Sequence, residues 1–316
     1  MKLSKSINEY LTYRYAMGAK LQSQSNTLRL FLKFVGKDID IERVLPEKVR
    51  LFIFDRQPIT RYAFDKHSVL NCFYRFAITR GHVRNSPVPK SLPKKPPSFV
   101  PYIYSRRDLG RLLKTIQRVN NPNKDIDAVT GRAIILTLYG AALRISEAIS
   151  LRVKDVDFEN NLLTIRDSKF HKSRLVPIGP ELKKELSQYV KNSSGRGTRK
   201  NADDYFFIGR SAAMIKRWAV ELYFQELRSI AKVSRSDGAR YQPRLHDFRH
   251  TAAVHRVTAW YKRGADVQRL LPLLSTYLGH VHLAETQVYL TMTPELLKLA
   301  NSRFETYASA NEVEHA

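Results

Sequence analysis

The 316-residue chain is poor in cysteine and tryptophan, with Cys72 the only thiol and two tryptophans in all, and it is short of acid: 29 Asp and Glu stand against 54 Lys and Arg. One thiol excludes a disulfide framework and any all-cysteine zinc module. No stretch approaches the roughly 20 apolar residues of a membrane span. The opening MKLSKSINEYLTYRYAMGAK lacks the apolar centre of a signal peptide, so a cytoplasmic, nucleoid-associated protein is expected. No Gly-x-x-x-x-Gly-Lys-Ser/Thr loop is present to cradle a nucleotide phosphate. What is present is core material, 43% hydrophobic with 16 Tyr and 15 Phe, under a net charge of +25. That excludes a disordered basic tail and points to a polyanionic partner, nucleic acid ahead of an anionic membrane surface.

Six of the 14 prolines fall between Asn85 and Pro101, among lysines and serines, and this stretch reads as a semi-rigid linker. Residues 1–84 before it carry helical apolar periodicity in three runs ending at Gly18, Gly36 and Gly81, where helix C-caps are expected. They predict a small helical domain. Residues 102–316 read as mostly helical, with a strand at LLTIRD, a turn at SKFHKS and a return strand at RLVPIG. Pro180 opens the next helix, Pro272 is expected to break or kink one, Gly279 to end it, and residues 193–204 to form an exposed loop. The fold class is therefore mainly α with a small antiparallel β-sheet in the second domain. Charge splits evenly: residues 1–97 hold 19 Lys and Arg against 7 Asp and Glu, the remainder 35 against 22. Two basic lobes suit a grip on a duplex from two sides.

Each chemically capable residue also has an ordinary structural explanation. Arg144 can pair with Glu147 three positions on, Lys169 and Lys172 can be solvated turn lysines, His280 can satisfy the helix end before it, and Tyr289 can be core. His246 and His250 share a helix face at i, i+4, the spacing of a zinc-binding His-Glu-x-x-His motif. Asp247 stands where that motif needs Glu, and Arg256 where a third ligand would fall. The alternative pairs His246 with Arg249, since a guanidinium gives planar bonds to two phosphate oxygens and an imidazole can move a proton near neutral pH.

Taken in order, ALRISEAISL (142–151), DSKFHKSRLVPIG (167–179), LHDFRHTAA (245–253), YLGH (277–280) and TQVYL (286–290) resemble the motifs of the tyrosine recombinases, the phage integrase-like strand-exchange enzymes. His280 and Tyr289 have the nine-residue separation typical of that family. The resemblance covers the N-terminal region more loosely, as a core-binding domain in a two-domain architecture. It implies a catalytic set of Arg144, Lys169, His246, Arg249, His280 and the nucleophile Tyr289, with no metal and no cofactor. In SKFHKSRLVP, Ser168 and Phe170 replace the glycines of the family's Gly-Lys-Gly-x-Lys-x-Arg-x-Val-Pro pattern, so Lys172 stands as a second candidate for the catalytic lysine. The implied partner is double-stranded DNA, bound by a homo-tetramer or together with related recombinases. A helix from about residue 294, with Leu296, Leu297, Leu299, Ala300, Phe304 and Tyr307 on an apolar stripe, would either pack on its own core or, as the resemblance implies, dock on a neighbouring subunit. A topoisomerase IB-like nicking-closing enzyme and a catalytically decayed DNA-binding protein are the competing readings.

Overall fold

The computed structural model describes residues 1–316 except 20, 56–57, 97–99, 120–124, 167–172, 194–200, 212, 240 and 314–316, together with the side chains at 291, 303 and 306–313. Lys169 and Lys172 thus lie outside the described residues, as does most of the 193–204 loop. The chain divides into two compact units, Met1–Phe99 and Val100–Ala316.

In the first unit, α1 (Leu3–Ala16), α2 (Gln22–Val35), α3 (Pro46–Ile53) and α4 (Arg61–Thr79) enclose one core. Leu3, Ile7, Leu28, Phe31, Val49, Leu70, Phe73 and Tyr74 are fully or almost fully buried there, each large apolar side chain contributing about 1.5–3 kcal/mol. Gly18, Gly36 and Gly81 have φ of 76°, 114° and 71°, which closes the three apolar runs as their sequence implies. The helix α3 is additional, opened by Pro46 at its first position. Val83 and Val88 are buried in the same core and His67 Nε2 bonds the Pro89 carbonyl at 2.9 Å, so the proline-rich stretch is packed on this unit at least to Pro89.

The second unit runs α5 (Arg106–Thr115), α6 (Ala128–Gly140), α7 (Ile145–Ile149), β1 (Val156–Asp157), β2 (Leu162–Ile165), β3 (Arg174–Pro177), α8 (Pro180–Asn192), α9 (Arg217–Ile230), α10 (Asp247–Lys262), α11 (Val267–Leu278), α12 (Ala284–Gln287) and α13 (Pro294–Val313). The strands form an antiparallel sheet in the order β1-β2-β3, with Leu163 opposite Val176 and Ile165 opposite Arg174. Alternation along β2 buries Leu163 and Ile165. The two-residue β1 is too short to announce itself in the sequence.

Pro272 lies inside α11, which continues through it to Leu278. Proline removes a single backbone donor, and Val267, Leu271, Leu274 and Leu278 on the buried face of this helix hold the rest. Gly279, at φ 67°, ends α11 in the left-handed conformation. Two apolar clusters fill the unit. The larger joins α5 to α9 and the sheet; the smaller, of Ala142, Ala253, Val254, Val257, Leu271, Leu274, Leu278 and Leu296, also contains Tyr289. Among the described residues no helix is long and apolar enough to cross a membrane.

Candidate active site

The corner between α6 and α7 sets the first arginine. Arg144 precedes α7, and Glu147, in its first turn, reaches back to the Arg144 backbone N–H at 2.9 Å, the carboxylate half of a capping box. The Arg144 side chain also donates from Nη1 to Glu147 Oε1 at 2.8 Å and from Nη2 to the Gly279 carbonyl at 3.3 Å. The ordinary pairing expected with Glu147 is therefore real. It leaves the Arg144 side chain 29% exposed beside an open cavity of about 560 Å³, which is also lined by Arg217, Arg228, Arg244, Tyr241 and His246. Four arginines around one space favour an anionic occupant.

Glu147 is shared. Arg174, at the start of β3, donates to both of its oxygens at 3.0 and 2.9 Å. Burial by itself pushes the Glu147 carboxyl up, but the hydrogen bonds and charge of Arg174, joined by those of Arg144, outweigh it and hold the group at about 2.

The second arginine is buried. Arg249, on the first turn of α10, is 1% exposed and donates from Nη1 to the Ala142 carbonyl at 2.8 Å and from Nη2 to the Leu278 carbonyl, and its charge acts on the Tyr289 phenol. Burial, and next the charge of Arg144, lower its pKa to about 10, which leaves it a cation at neutral pH. Ala142 has φ 52°, a left-handed conformation costly for a residue with a Cβ, and its carbonyl is one of the two that fix this guanidinium. Asp247, fully buried, caps the turn by accepting from Arg244 N at 2.8 Å.

Tyr289, on the 3₁₀ turn Val288–Thr291, is 2% exposed. Burial raises its phenol above the ordinary value while Arg249 and Arg144 pull it back. The His280 ring stacks over it at 6.2 Å between centroids, and His280 Nδ1 shares a 2.8 Å hydrogen bond with the fully buried Thr286. That bond leaves Nε2 as the nitrogen able to meet a ligand. His246 is one step further away: its ring meets His250 edge-on at 4.8 Å, and His250 faces Tyr289 at 5.7 Å. Burial, reinforced by neighbouring cations, lowers His246 and His250 to about 4 and His280 to about 3, so all three are neutral at pH 7.

Arg144, Arg249, His280 and Tyr289 are thus brought together from segments up to 145 positions apart, with His246 joined through His250. Three participants lie outside the catalytic set the resemblance implies: Arg174, Thr286 and His250, whose Nδ1 is buried without a hydrogen-bond partner. The signals for them were the Arg of SRLVP beside the lysine motif and the second His of the i, i+4 pair. Among the described residues no cluster of three His, Cys, Asp or Glu side chains could hold a metal ion.

The phage integrase family model matches residues 106–295. A Sinorhizobium fredii protein, y4rB, provisionally named an integrase/recombinase, is 32% identical over 305 residues, covering 95% of this chain and 96% of that one. The tyrosine recombinase XerA of Pyrococcus furiosus is 25% identical over 309 residues, 95% of this chain and 94% of its own. The Tn1549 transposon integrase, solved with transposon right-end DNA, shares the fold at a TM-score of 0.71 and 17% identity, over 98% of this chain and 100% of that one. A lambda integrase dimer on a core site does so at 0.67 and 14%, over 93% and 97%. With more than half its length matched by that model and a relative above 30% identity along nearly all of it, the chain belongs to the phage integrase family, the tyrosine recombinases.

Proposed function

We propose that this site-specific recombinase cuts and rejoins duplex DNA through a covalent 3′-phosphotyrosine at Tyr289, in the integration, excision or transposition of a mobile element. The observation that carries the reading is a buried Tyr289 phenol acted on by the charges of Arg249 and Arg144, with the His280 ring stacked on it at 6.2 Å. In-line attack by Tyr289 Oη forms the P–O(Tyr) bond and breaks P–O5′. The added charge on the nonbridging oxygens falls to Arg144, Arg249 and His280 Nε2, fixed before substrate arrives and so costing no reorganisation. His246, joined to Tyr289 through His250 and neutral at pH 7, serves as the base or proton relay for the phenol proton. Lys169, or Lys172 in its place, protonates the departing 5′ oxygen. Rejoining is the reverse, with a 5′-hydroxyl attacking the phosphotyrosine. The ester retains the energy of the broken bond, so resealing consumes no nucleotide.

Double-stranded DNA is the proposed substrate, gripped by many of the 54 Lys and Arg, with residues 1–84 as the core-binding domain, 102–316 as the catalytic domain and 85–101 linking them. On α13, Leu296 is buried and Glu295 pairs with Lys262 at 2.7 Å, whereas Leu297 is 49% and Phe304 68% exposed. The start of the helix packs on its own domain, and its exposed apolar residues are proposed to dock on a second copy in a tetramer on DNA. Truncation after Thr293 should abolish higher-order assembly on duplex in analytical ultracentrifugation; unchanged assembly would refute the docking role.

The decisive test is a nicked suicide duplex taken from the DNA flanking the chain's own gene. Wild-type protein should form a denaturation-resistant adduct, and Tyr289→Phe should bind the duplex without forming it. An adduct from Tyr289→Phe would show that the nucleophile lies elsewhere.

A further inference from the structure

Arg174 opens β3 just beyond residues 167–172, yet its side chain is only 9% exposed. All three guanidinium nitrogens are engaged inside the domain. Nη1 and Nη2 hold Glu147, and Nε donates to the Tyr277 carbonyl at 3.0 Å. One end of Arg174 is therefore joined to the carboxylate that grips Arg144. The other is joined to the last turn of α11, which delivers Gly279 and His280. Gly279 is shaped around it: besides the left-handed φ, a Cβ there would stand 2.8 Å from Arg174 Nη1. The glycine of the YLGH motif is thus demanded both by backbone conformation and by the passage of this side chain. At the other flank of the 167–172 segment, Arg166 pairs with Asp155, so both flanks of the lysine-bearing segment are tied to carboxylates.

We propose that Arg174 is a positioning residue that sets Arg144, through Glu147, and His280, through Tyr277 and Gly279, at the separation a scissile phosphate requires. Only a planar fork can bond both carboxylate oxygens and a carbonyl at once, so lysine is not an equivalent. The proposal rests on reading the site as one for phosphodiester exchange.

The test compares single-turnover cleavage by wild type, Arg174→Lys, Arg174→Gln and Arg144→Ala on flanking-DNA suicide duplexes. These carry either the ordinary diester or a neutral methylphosphonate at the linkage where wild type becomes attached. Duplex binding and thermal unfolding are measured for every variant. Misplacing Arg144 should cost about 10- to 100-fold on the diester with binding retained. Most of that loss should be recovered on the methylphosphonate, which carries one charge fewer to be met, and Arg144→Ala should behave in the same way. Arg174→Lys keeps the buried charge and carries the comparison if Arg174→Gln does not fold. A folded Arg174 variant that loses equally on both linkages, or loses nothing, overturns the proposal while the wild-type adduct leaves the recombination reading standing. A wild-type protein that forms no adduct on any duplex overturns both.

Discussion

Arg249 at the start of α10 and Arg144 at the α6–α7 corner are held in the same site by opposite means. Arg249 is bonded by the main-chain carbonyls of Ala142 and Leu278; Arg144 is bonded mainly by a side chain, Glu147, that also serves Arg174, with one longer bond to the Gly279 carbonyl. A main-chain carbonyl is neither titratable nor removable by substitution, whereas a carboxylate can be removed by substitution and is protonated at low pH. The first arrangement spends backbone strain at Ala142 on permanence. The second leaves Arg144 part-exposed and makes its position depend largely on one titratable group and a distant strand.

Removing Arg249 should do the most damage. Arg249→Ala strips Tyr289 of its cation and leaves two buried carbonyls unpaired, each costing about 1–3 kcal/mol. Cleavage should fall about 100- to 1000-fold or more in single-turnover assays, with a lowered Tm. Glu147→Gln comes next, because it releases Arg144 and strands the buried Arg174 charge. Breaking a buried pair costs about 3–5 kcal/mol, and denaturant titration should show it; a variant as stable as wild type would mean that the two arginines find other partners. Gly279→Ala should cost about 1–2 kcal/mol for the left-handed backbone alone, plus displacement of Arg174, and should slow cleavage at retained duplex affinity.

The same contrast extends to pH. Glu147 sits at about 2 against an ordinary 4.5, so its stabilisation is complete above about 4.5 and disappears as pH falls through 2. The histidines have folded values below the ordinary 6.5. The unfolded chain therefore binds their protons first, and stability should fall as pH drops from 6.5 towards 4. Melting temperatures across that window should slope downward, less steeply in His250→Asn; a flat profile would contradict the burial of these rings. The smallest effect is expected from Arg217→Ala at the cavity rim, whose guanidinium is already paired with Glu221. It should weaken duplex binding and reduce its salt dependence while leaving the adduct-forming step intact.

Much of this was legible before folding. The three glycine-closed runs became helices, the hairpin strands appeared where β-branched and leucine residues alternate, and Arg144, Arg249, His280 and Tyr289 met as their motifs implied. Legibility failed where a feature is not local. Pro272 is tolerated because the buried face of α11 outweighs one lost hydrogen bond. Arg174 falls on the arginine of the quoted lysine-motif pattern, but nothing nearby in the sequence names Glu147, 27 positions earlier, as its partner.

By itself the sequence determined the surplus of positive charge, the placement of most helices and strands, and the order of the chemical groups along the chain. All of these follow from composition or from spacings within a few residues. Only the tertiary structure decided which of those groups are buried, and with what. Arg249 is surrounded by carbonyls 107 positions before it and 29 after it. Desolvation of that kind is produced by long-range packing, and it turns a scatter of arginines and histidines into one charged arginine, three neutral imidazoles and a tyrosine held between them.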